Sequence, residues 1–415
     1  MSLLIKNVIL KKKKVDIFIQ DGKIKKIWPK INKKVKQTID GKGEKAALAG
    51  LINGHTHAAM NLFRGIGNDL PLKKWLERII WPAEKKLTPE DVYWGTKFAC
   101  LEMIKTGTTC FNDMYWFQEA SIEAIKEMGL RSVIGLTLLD FFPWGKKENV
   151  TKIWERFKTH NIPTIIFSIA PHSIYTVSQE NLIWAKNFAK KNNLIIHTHL
   201  SETEKEVKDC LKTYKVRPVE FLDRIGFLNK NCVLAHSVWL SNKEIKILAK
   251  RKCSVVYNPE SDMKLASGFF PYRRLNRAGV NICLGTDGAA SNNNLDLIEE
   301  MKSGSLLQKI GDMDSTVATG SEMFKTATKN GGQALKMKIG EIKEGYLADI
   351  ILIDMNQVCL TPGHDLISDL VYSCSGNCVS DLICHGKILM RDKKVEQEKQ
   401  IISQVKKIAK KLLNK

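Results

Sequence analysis

No apolar run in the sequence approaches the ~20 residues that cross a bilayer; the hydrophobic segments are short and punctuated. The opening "MSLLIKNVILKKKK" places its charges after its apolar residues, the reverse of a secretory signal, so a cytoplasmic protein is expected and no membrane partner. Neither a G-x-G-x-x-G nor a Walker-type loop occurs, which counts against a doubly wound nucleotide-binding sheet. Paired C-x2–4-C units are also missing. The densest cluster of the ten cysteines, Cys374, Cys378 and Cys384, contains only one loose pair, so they read as reduced, buried thiols rather than a zinc site. Arginine is scarce, at 11 of 65 basic residues. The formal charge of +21 comes mostly from lysine scattered along the chain, without the aromatic-interleaved basic motifs of single-strand binders. Nucleic acid is not an expected partner, although such a field can steer anionic ligands.

What remains is a globular composition: 415 residues, 44% hydrophobic and 26% charged, enough for one large domain or two to three ordinary ones. Both ends of the chain read as short strands and turns. "NVILKKKKVDIFIQDGKIKKI" alternates apolar and polar residues around a "QDG" turn, and "KEGYLADIILID" and "DLICHGKILMRDKK" repeat the style. Residues 1–49 and 345–415 are therefore expected to form one small β-sandwich domain. The last segment sets Ile401, Val405, Ile408 and Leu412 on one helical face, as for a terminal helix docked on its own protein.

Residues 50–344 have another rhythm. The runs "TIIFSIAPH", "NLIIHTHLSE", "CVLAHSVWL", "CSVVYNP" and "NICLGTDG" read as strands. "SQENLIWAKNFAKKNN" and "SNKEIKILAKRK" between them read as helices opened by a Ser cap. Alternation on this scale predicts an α/β fold with a parallel sheet, a (β/α)8 TIM-like barrel ahead of a doubly wound sheet.

In such a barrel, functional side chains gather at the C-terminal ends of the strands. Those ends carry His55 and His57, His172, His199 with Glu202, His236, and Asp287. Residues i and i+2 of a strand face the same side, so His55 and His57 can grip one ion. His199 and Asp287 would complete a three-nitrogen, one-oxygen set suited to Zn2+, or to Fe2+ as second choice, with a position left for water whose pKa falls to about 7. His197 faces the same side as His199, and spacing does not choose between them. Glu202 can move the water's proton, and His236 can stabilise the attacking oxygen.

These segments also carry a resemblance. "NGHTH", "HTHLSE", "LAHSVWL" and "GTDGAASNNNLDLIEEM" resemble the amidohydrolase superfamily. "MNLFRGIGNDLPLKKWLERIIWPAE", "TGTTCFNDMY", "APHSIYTVS", "NPESDMKLASGFFP" and "GEIKEGYLADIILID" narrow it to the 5-methylthioadenosine/S-adenosylhomocysteine deaminase family. The resemblance implies His55, His57, His199 and Asp287 as metal ligands, choosing His199 over His197 by the family's spacing to Glu202. It implies Glu202 as acid/base, His236 beside the attacking water with Asp287 also taking a proton, and substrate contacts from Glu84 (ribose hydroxyls), His172, Glu202 and Asp287. "IIFSIAPHSIY" lacks the lysine that bridges two metals in binuclear relatives, so one divalent ion per chain is expected.

There are departures from the family pattern. Ala49 stands where proline is usual, and "FFPWGKKENV" holds no arginine for the substrate's polar tail, leaving Lys146 or Lys147 as point-charge substitutes. The expectation is hydrolytic deamination of 5'-methylthioadenosine, S-adenosylhomocysteine, 5'-deoxyadenosine or adenosine by a homo-oligomer. The alternatives are a guanine-, cytosine- or triazine-type aminohydrolase, and a catalytically silent barrel with a binding or structural role.

Overall fold

The computed structural model describes residues 2–413. Eight strands follow one another in a parallel sheet: Leu51–Thr56, Thr108–Tyr115, Arg131–Leu138, Ile165–Pro171, Ile195–Leu200, Cys232–His236, Ser254–Tyr257 and Asn281–Leu284. Each pairs in parallel with its predecessor. The last curls back onto the first: Thr286 and Asp287 donate their N–H groups to the His55 carbonyl at 3.2 and 3.0 Å. Asn53 Nδ2 reaches Thr286 Oγ1 at 2.7 Å. Gly54 and Gly285 allow this close approach. A Cβ at Gly285 would lie 3.0 Å from the His55 nitrogen and 2.5 Å from Asn258 Oδ1. The result is the expected α/β barrel, closed in part by backbone and in part by side chains.

One end of the barrel is stoppered. Ile52, Cys110, Val133, Ile195, Val233 and Val256 fill the interior and pack with Ala334, Leu335 and Ile339, which come from beyond the last strand. The strands are buried on both faces, as parallel strands under a coat of helices must be. The helices begin where the serine caps predict. Ser178 opens Gln179–Asn192, and Ser241 opens Asn242–Arg251 with a reciprocal capping box to Glu244. The sequence reading identified the first strand and five later ones; Thr108–Tyr115 and Arg131–Leu138 complete the barrel.

A separate nine-stranded mixed sheet is built from both ends of the chain. Ser2–Leu10, Lys13–Gln20 and Lys23–Trp28 form a meander, and the Asp21–Gly22 turn takes positive φ at both residues, as a tight hairpin requires. Lys45–Ala49 joins this meander to Ile350–Asp354, Val379–Cys384 and Lys387–Arg391. A bridge between Lys23 and Leu347 folds the sheet across itself. Leu3, Ile5, Ile17, Ile24, Ile350 and Leu352 lie in the core so enclosed. The barrel is tied to this sheet by Arg131, whose guanidinium grips Asp349 with two bonds of 2.7 and 3.1 Å, both residues being buried.

The terminal helix Glu398–Leu413 docks on the helix Pro89–Lys105. Ile401, Val405 and Ile408 are buried there, with Leu412 half-buried against the same cluster, and Lys105 meets Glu398 at 2.8 Å. The ten cysteines are free thiols; all are buried except the half-buried Cys359. Among the described residues no helix is long and apolar enough to cross a membrane.

Candidate active site

With one end stoppered, the barrel opens at the C-terminal ends of its strands, and the chemistry-bearing side chains meet there. His55 lies in the first strand and His57 one residue past its end, their ring centroids 4.8 Å apart. His199 comes from the fifth strand, His236 ends the sixth, and Asp287 follows the eighth. The backbone turns left-handed at His236 and Asp287, with φ of 66° and 58°. This conformation is uncommon for residues other than glycine and clusters at functional sites. It is held by the bonds from Ser237 N to Leu200 O (2.8 Å) and from Asp287 N to His55 O (3.0 Å).

Asp287 Oδ1 lies 3.3 Å from His55 Nε2 and 3.2 Å from His57 Nε2, while His57 Nε2 is 3.3 Å from His199 Nε2. Ligand atoms of His55, His199, His236 and Asp287 all lie within 4.8 Å of one another. Five groups therefore converge, one more than the sequence-derived ligand set, because His236 enters the same ring as the other imidazoles.

Each imidazole is oriented from behind. His57 Nδ1 donates to the Met114 carbonyl (2.6 Å), and His199 Nδ1 to the His172 carbonyl (2.7 Å). His55 Nδ1 meets His197 Nε2 at 2.9 Å, and His236 Nδ1 meets Asp262 Oδ1 at 2.8 Å. With Nδ1 engaged, Nε2 is the free atom of each ring, and His55 Nε2 is buried without a hydrogen-bond partner. Asp287 Oδ2 accepts from Ser261 Oγ (2.7 Å) and Ser291 Oγ (2.8 Å), which turns Oδ1 toward the imidazoles. Imidazoles anchored at one nitrogen and bare at the other, around one carboxylate oxygen, match the supported donor shell of a bound divalent metal. His197 stands behind His55, its Nε2 engaged with that ring, whereas His199 presents its Nε2 to the cluster.

Burial and charge set the protonation states. Burial pushes Glu202 up to about 7, with the facing His236 pulling the other way. Burial opposes the charge on His236, yet the carboxylates of Glu202 and Asp262 outweigh it and raise the imidazole to about 10. Burial likewise opposes ionisation of Asp287, but the imidazoles of His55 and His57, 3.2–3.3 Å from its Oδ1, hold it well below the usual carboxylate range. Burial lowers His172 to about 3 and His55 to about 4, so both are neutral at pH 7. A carboxylate near 7 beside a charged imidazole is a proton carrier poised for neutral solution.

The cavity above this cluster spans about 670 Å3 counted with the solvent space of its open mouth. His57, Glu84, His172, Glu202, His236 and Asp287 line it. Glu84 is buried, and burial raises it to about 7 against the pull of the Tyr115 hydroxyl. Every site residue named from the sequence is thus brought to one place, except the two lysines. Lys146 turns its ammonium onto the Asp140 carbonyl, and Lys147 lies 3.6 Å from Glu180. Neither lines the cavity, because local acceptors on the surface hold them there.

Sequence reasoning missed the supporting residues. Asp262 lies in "NPESDMK" with no metal-like spacing to His236. Glu206 accepts the N–H groups of Ser201 (2.8 Å) and Glu202 (2.9 Å), and so fixes the backbone that carries Glu202. Its signal was readable: an acid in the first turn of Glu204–Tyr214, behind the Thr203 cap.

The architecture and the site agree with known proteins. The amidohydrolase family model matches residues 46–389. A 5-methylthioadenosine/S-adenosylhomocysteine deaminase of Thermococcus sibiricus is 45% identical over 400 residues, covering 94% of each chain. A 5'-deoxyadenosine deaminase of Methanoregula boonei is 44% identical over 413 residues, 97% of this chain and 93% of the other. The crystal structure of a zinc-bound adenosine deaminase from Xanthomonas campestris superimposes with a TM-score of 0.95 at 31% identity, covering 100% of this chain and 99% of that one. A partly side-chain-closed barrel with histidines and an aspartate at its strand ends, matched along most of its length, leaves one assignment: the chain belongs to the amidohydrolase family.

Proposed function

We propose that this protein is a metal-dependent hydrolase that replaces the 6-amino group of an adenosine derivative by oxygen, releasing ammonia and the inosine derivative. The observation that carries the reading is the meeting of Asp287 Oδ1 with the Nε2 atoms of His55 and His57, and of His57 with His199, at 3.2–3.3 Å in the cavity that Glu202 lines. Relatives at 44–45% identity that bear deaminase names supply the substrate class.

His55, His57, His199 and Asp287 would hold one divalent ion, Zn2+ being the best match to a three-nitrogen, one-oxygen set. His57 is preferred to His236 as the fourth ligand because its Nε2 sits at 3.2–3.3 Å from both Asp287 and His199. When bound, such an ion supplies a Lewis acid that brings the pKa of water down to about 7.

The chain's own groups do the rest. Glu202, near 7, accepts the proton of the attacking water and passes it to ring N1, next to the reacting C6. His236 is anchored through Nδ1 to Asp262, so it presents a charged Nε2–H to the oxygen as it adds to C6. Asp287, held by two serine hydroxyls and the closing barrel backbone, takes the second proton from the oxygen added at C6 and gives it to the amino group, which departs as ammonia while C6 becomes a carbonyl. Glu84 receives the ribose hydroxyls, and His172, neutral and bonded through Nδ1 to Thr176 Oγ1 (3.0 Å), borders the base. In this reading residues 50–344 are the catalytic unit, and residues 1–49 with 345–415 form the supporting domain.

The test is an ammonia-release screen of the metal-loaded protein over adenosine, 5'-deoxyadenosine, 5'-methylthioadenosine, S-adenosylhomocysteine, guanine and cytosine. Turnover of the adenosine derivatives alone is expected. Release from guanine or cytosine only would assign the chain to another aminohydrolase, and release from none would leave a silent barrel.

A further inference from the structure

Two kinds of side chain line the cavity: the imidazoles with Glu202 and Asp287, and an apolar group of Leu72, Trp75, Leu76, Ile80, Trp81 and Leu139. Glu84 closes the same helical segment that supplies Leu72–Trp81, and the Tyr115 hydroxyl and the Trp116 indole N–H, which also line the cavity, are buried without a hydrogen-bond partner. Among the described residues no lysine or arginine lines the cavity. The two lysines that begin the helix after the 139–145 loop are engaged outside it, with the Asp140 carbonyl and near Glu180.

Resting on the deaminase reading above, we propose that the site selects adenosine derivatives whose 5' substituent is uncharged and apolar, and discriminates against those that end in an amino-acid zwitterion. The geometry of the purine dictates where that substituent goes. With C6 among the imidazoles, N9 and its ribose point away from them, and a ribose diol on Glu84 would bring the 5' carbon alongside the apolar side chains of the Leu72–Glu84 segment.

A methyl or thioether group gains by burial against leucine and tryptophan. An α-carboxylate placed there gives up its hydration and finds no cation in exchange. It also comes near Glu84, and two carboxylates in one buried site repel each other whenever both are ionised. The α-ammonium has one partner beside those apolar side chains, the same Glu84, and taking it would unseat the diol. Tyr115 and Trp116 do not change this balance. As neutral donors without a partner in the protein they can meet hydroxyl oxygens of the ligand, but they carry no charge to offset a second carboxylate.

Charge and length are separated by comparing kcat/KM for four substrates of the holoenzyme: 5'-deoxyadenosine, 5'-methylthioadenosine, 5'-butylthio-5'-deoxyadenosine and S-adenosylhomocysteine. The butylthio compound has the span of the homocysteine tail without its charges. It is expected within a few fold of the methylthio compound, with S-adenosylhomocysteine at least about tenfold below it. Equal values for S-adenosylhomocysteine and the butylthio compound would overturn the inference, since the tail would then be accommodated with its charges. Equally poor values for both would overturn it too, because length would be the cause. Turnover of none of the four would bring down the deaminase reading itself, a different result from turnover without discrimination.

Discussion

His57 Nε2 and His199 Nε2 face each other at 3.3 Å, while the Nδ1 of each ring donates to a backbone carbonyl, of Met114 and of His172. Two bare ring nitrogens at that distance present lone pair to lone pair, and only a shared proton or a cation makes the contact favourable. Burial holds His199 well below its ordinary pKa, whereas the Asp287 carboxylate raises His57 against its burial, so without a metal a proton at this contact belongs to His57. The fold thus stores an electrostatic demand for a cation in the middle of its polar cluster.

The first expected outcome follows from that demand. Zn2+ should raise the Tm of chelator-treated protein, by an amount set by linkage: about 2.7 kcal/mol of added stability at a free metal concentration 100 times Kd. Elemental analysis should find one ion per active chain. Two tightly held ions, or a melting curve indifferent to metal and chelator, would contradict the proposed ligand set.

Glu202→Gln preserves shape and removes the proton carrier. Metal content should be unchanged, and kcat should fall by about 10²–10⁴, the usual contribution of a general acid–base group. Near-normal turnover would place proton transfer on another residue.

Glu206 makes a stability experiment possible. Burial pushes its carboxyl up to about 7 from an ordinary 4.5, against the backbone N–H groups of Ser201 and Glu202 that it accepts. The folded protein therefore holds a proton that the unfolded chain releases. The stability this contributes is complete below about pH 4.5 and is lost as pH rises through about 7. Glu206→Gln also trades one of two acceptor oxygens for an amide donor, so the variant should be less stable by about 1–3 kcal/mol. Between pH 4.5 and 7 its urea midpoint should fall less steeply than that of the wild type, by up to one proton's worth of slope. Parallel pH profiles for the two proteins would show that Glu206 titrates alike in both states.

The sequence displays the site better than it displays the site's supports. His55, His57, His199, His236 and Asp287 are legible because a barrel projects the last residues of its strands toward one axis, and short apolar runs mark those ends. The serine caps and the amphipathic face of Ile401, Val405 and Ile408 follow local rules and reappear in the fold. Asp262 and His197 do not follow such rules. Their roles depend on which side chain stands behind His236 and His55 in space, and that is settled by the stagger of neighbouring strands. Lys146 and Lys147 show the converse. Their position after "LTLLD" suggests a cavity wall, but a lysine at the surface bonds the nearest carbonyl or carboxylate, and both do so outside the cavity. The Arg131–Asp349 grip between barrel and flanking sheet spans 218 residues of chain, beyond any local pattern.

Glu84 separates a nucleoside site from a free-base site, and its role is testable with substrate pairs. It is buried in the cavity wall, and the neighbouring Tyr115 hydroxyl and Trp116 indole make no hydrogen bond to it, so its carboxylate is open to donors from a ligand. Hydrogen bonds to a charged group are worth roughly 1.5–3 kcal/mol each. Glu84→Ala should then lower kcat/KM for ribonucleosides by at least about tenfold, since 1.4 kcal/mol is one decade. A 2'-deoxy substrate offers one hydroxyl fewer, so the same substitution should cost it less. Because both substrates meet the same altered protein, a general loss of folding would lower the two equally, and only a lost diol contact makes the losses differ. Equal losses would return Glu84 to a structural role, and no loss in either would point to substrates that carry no ribose.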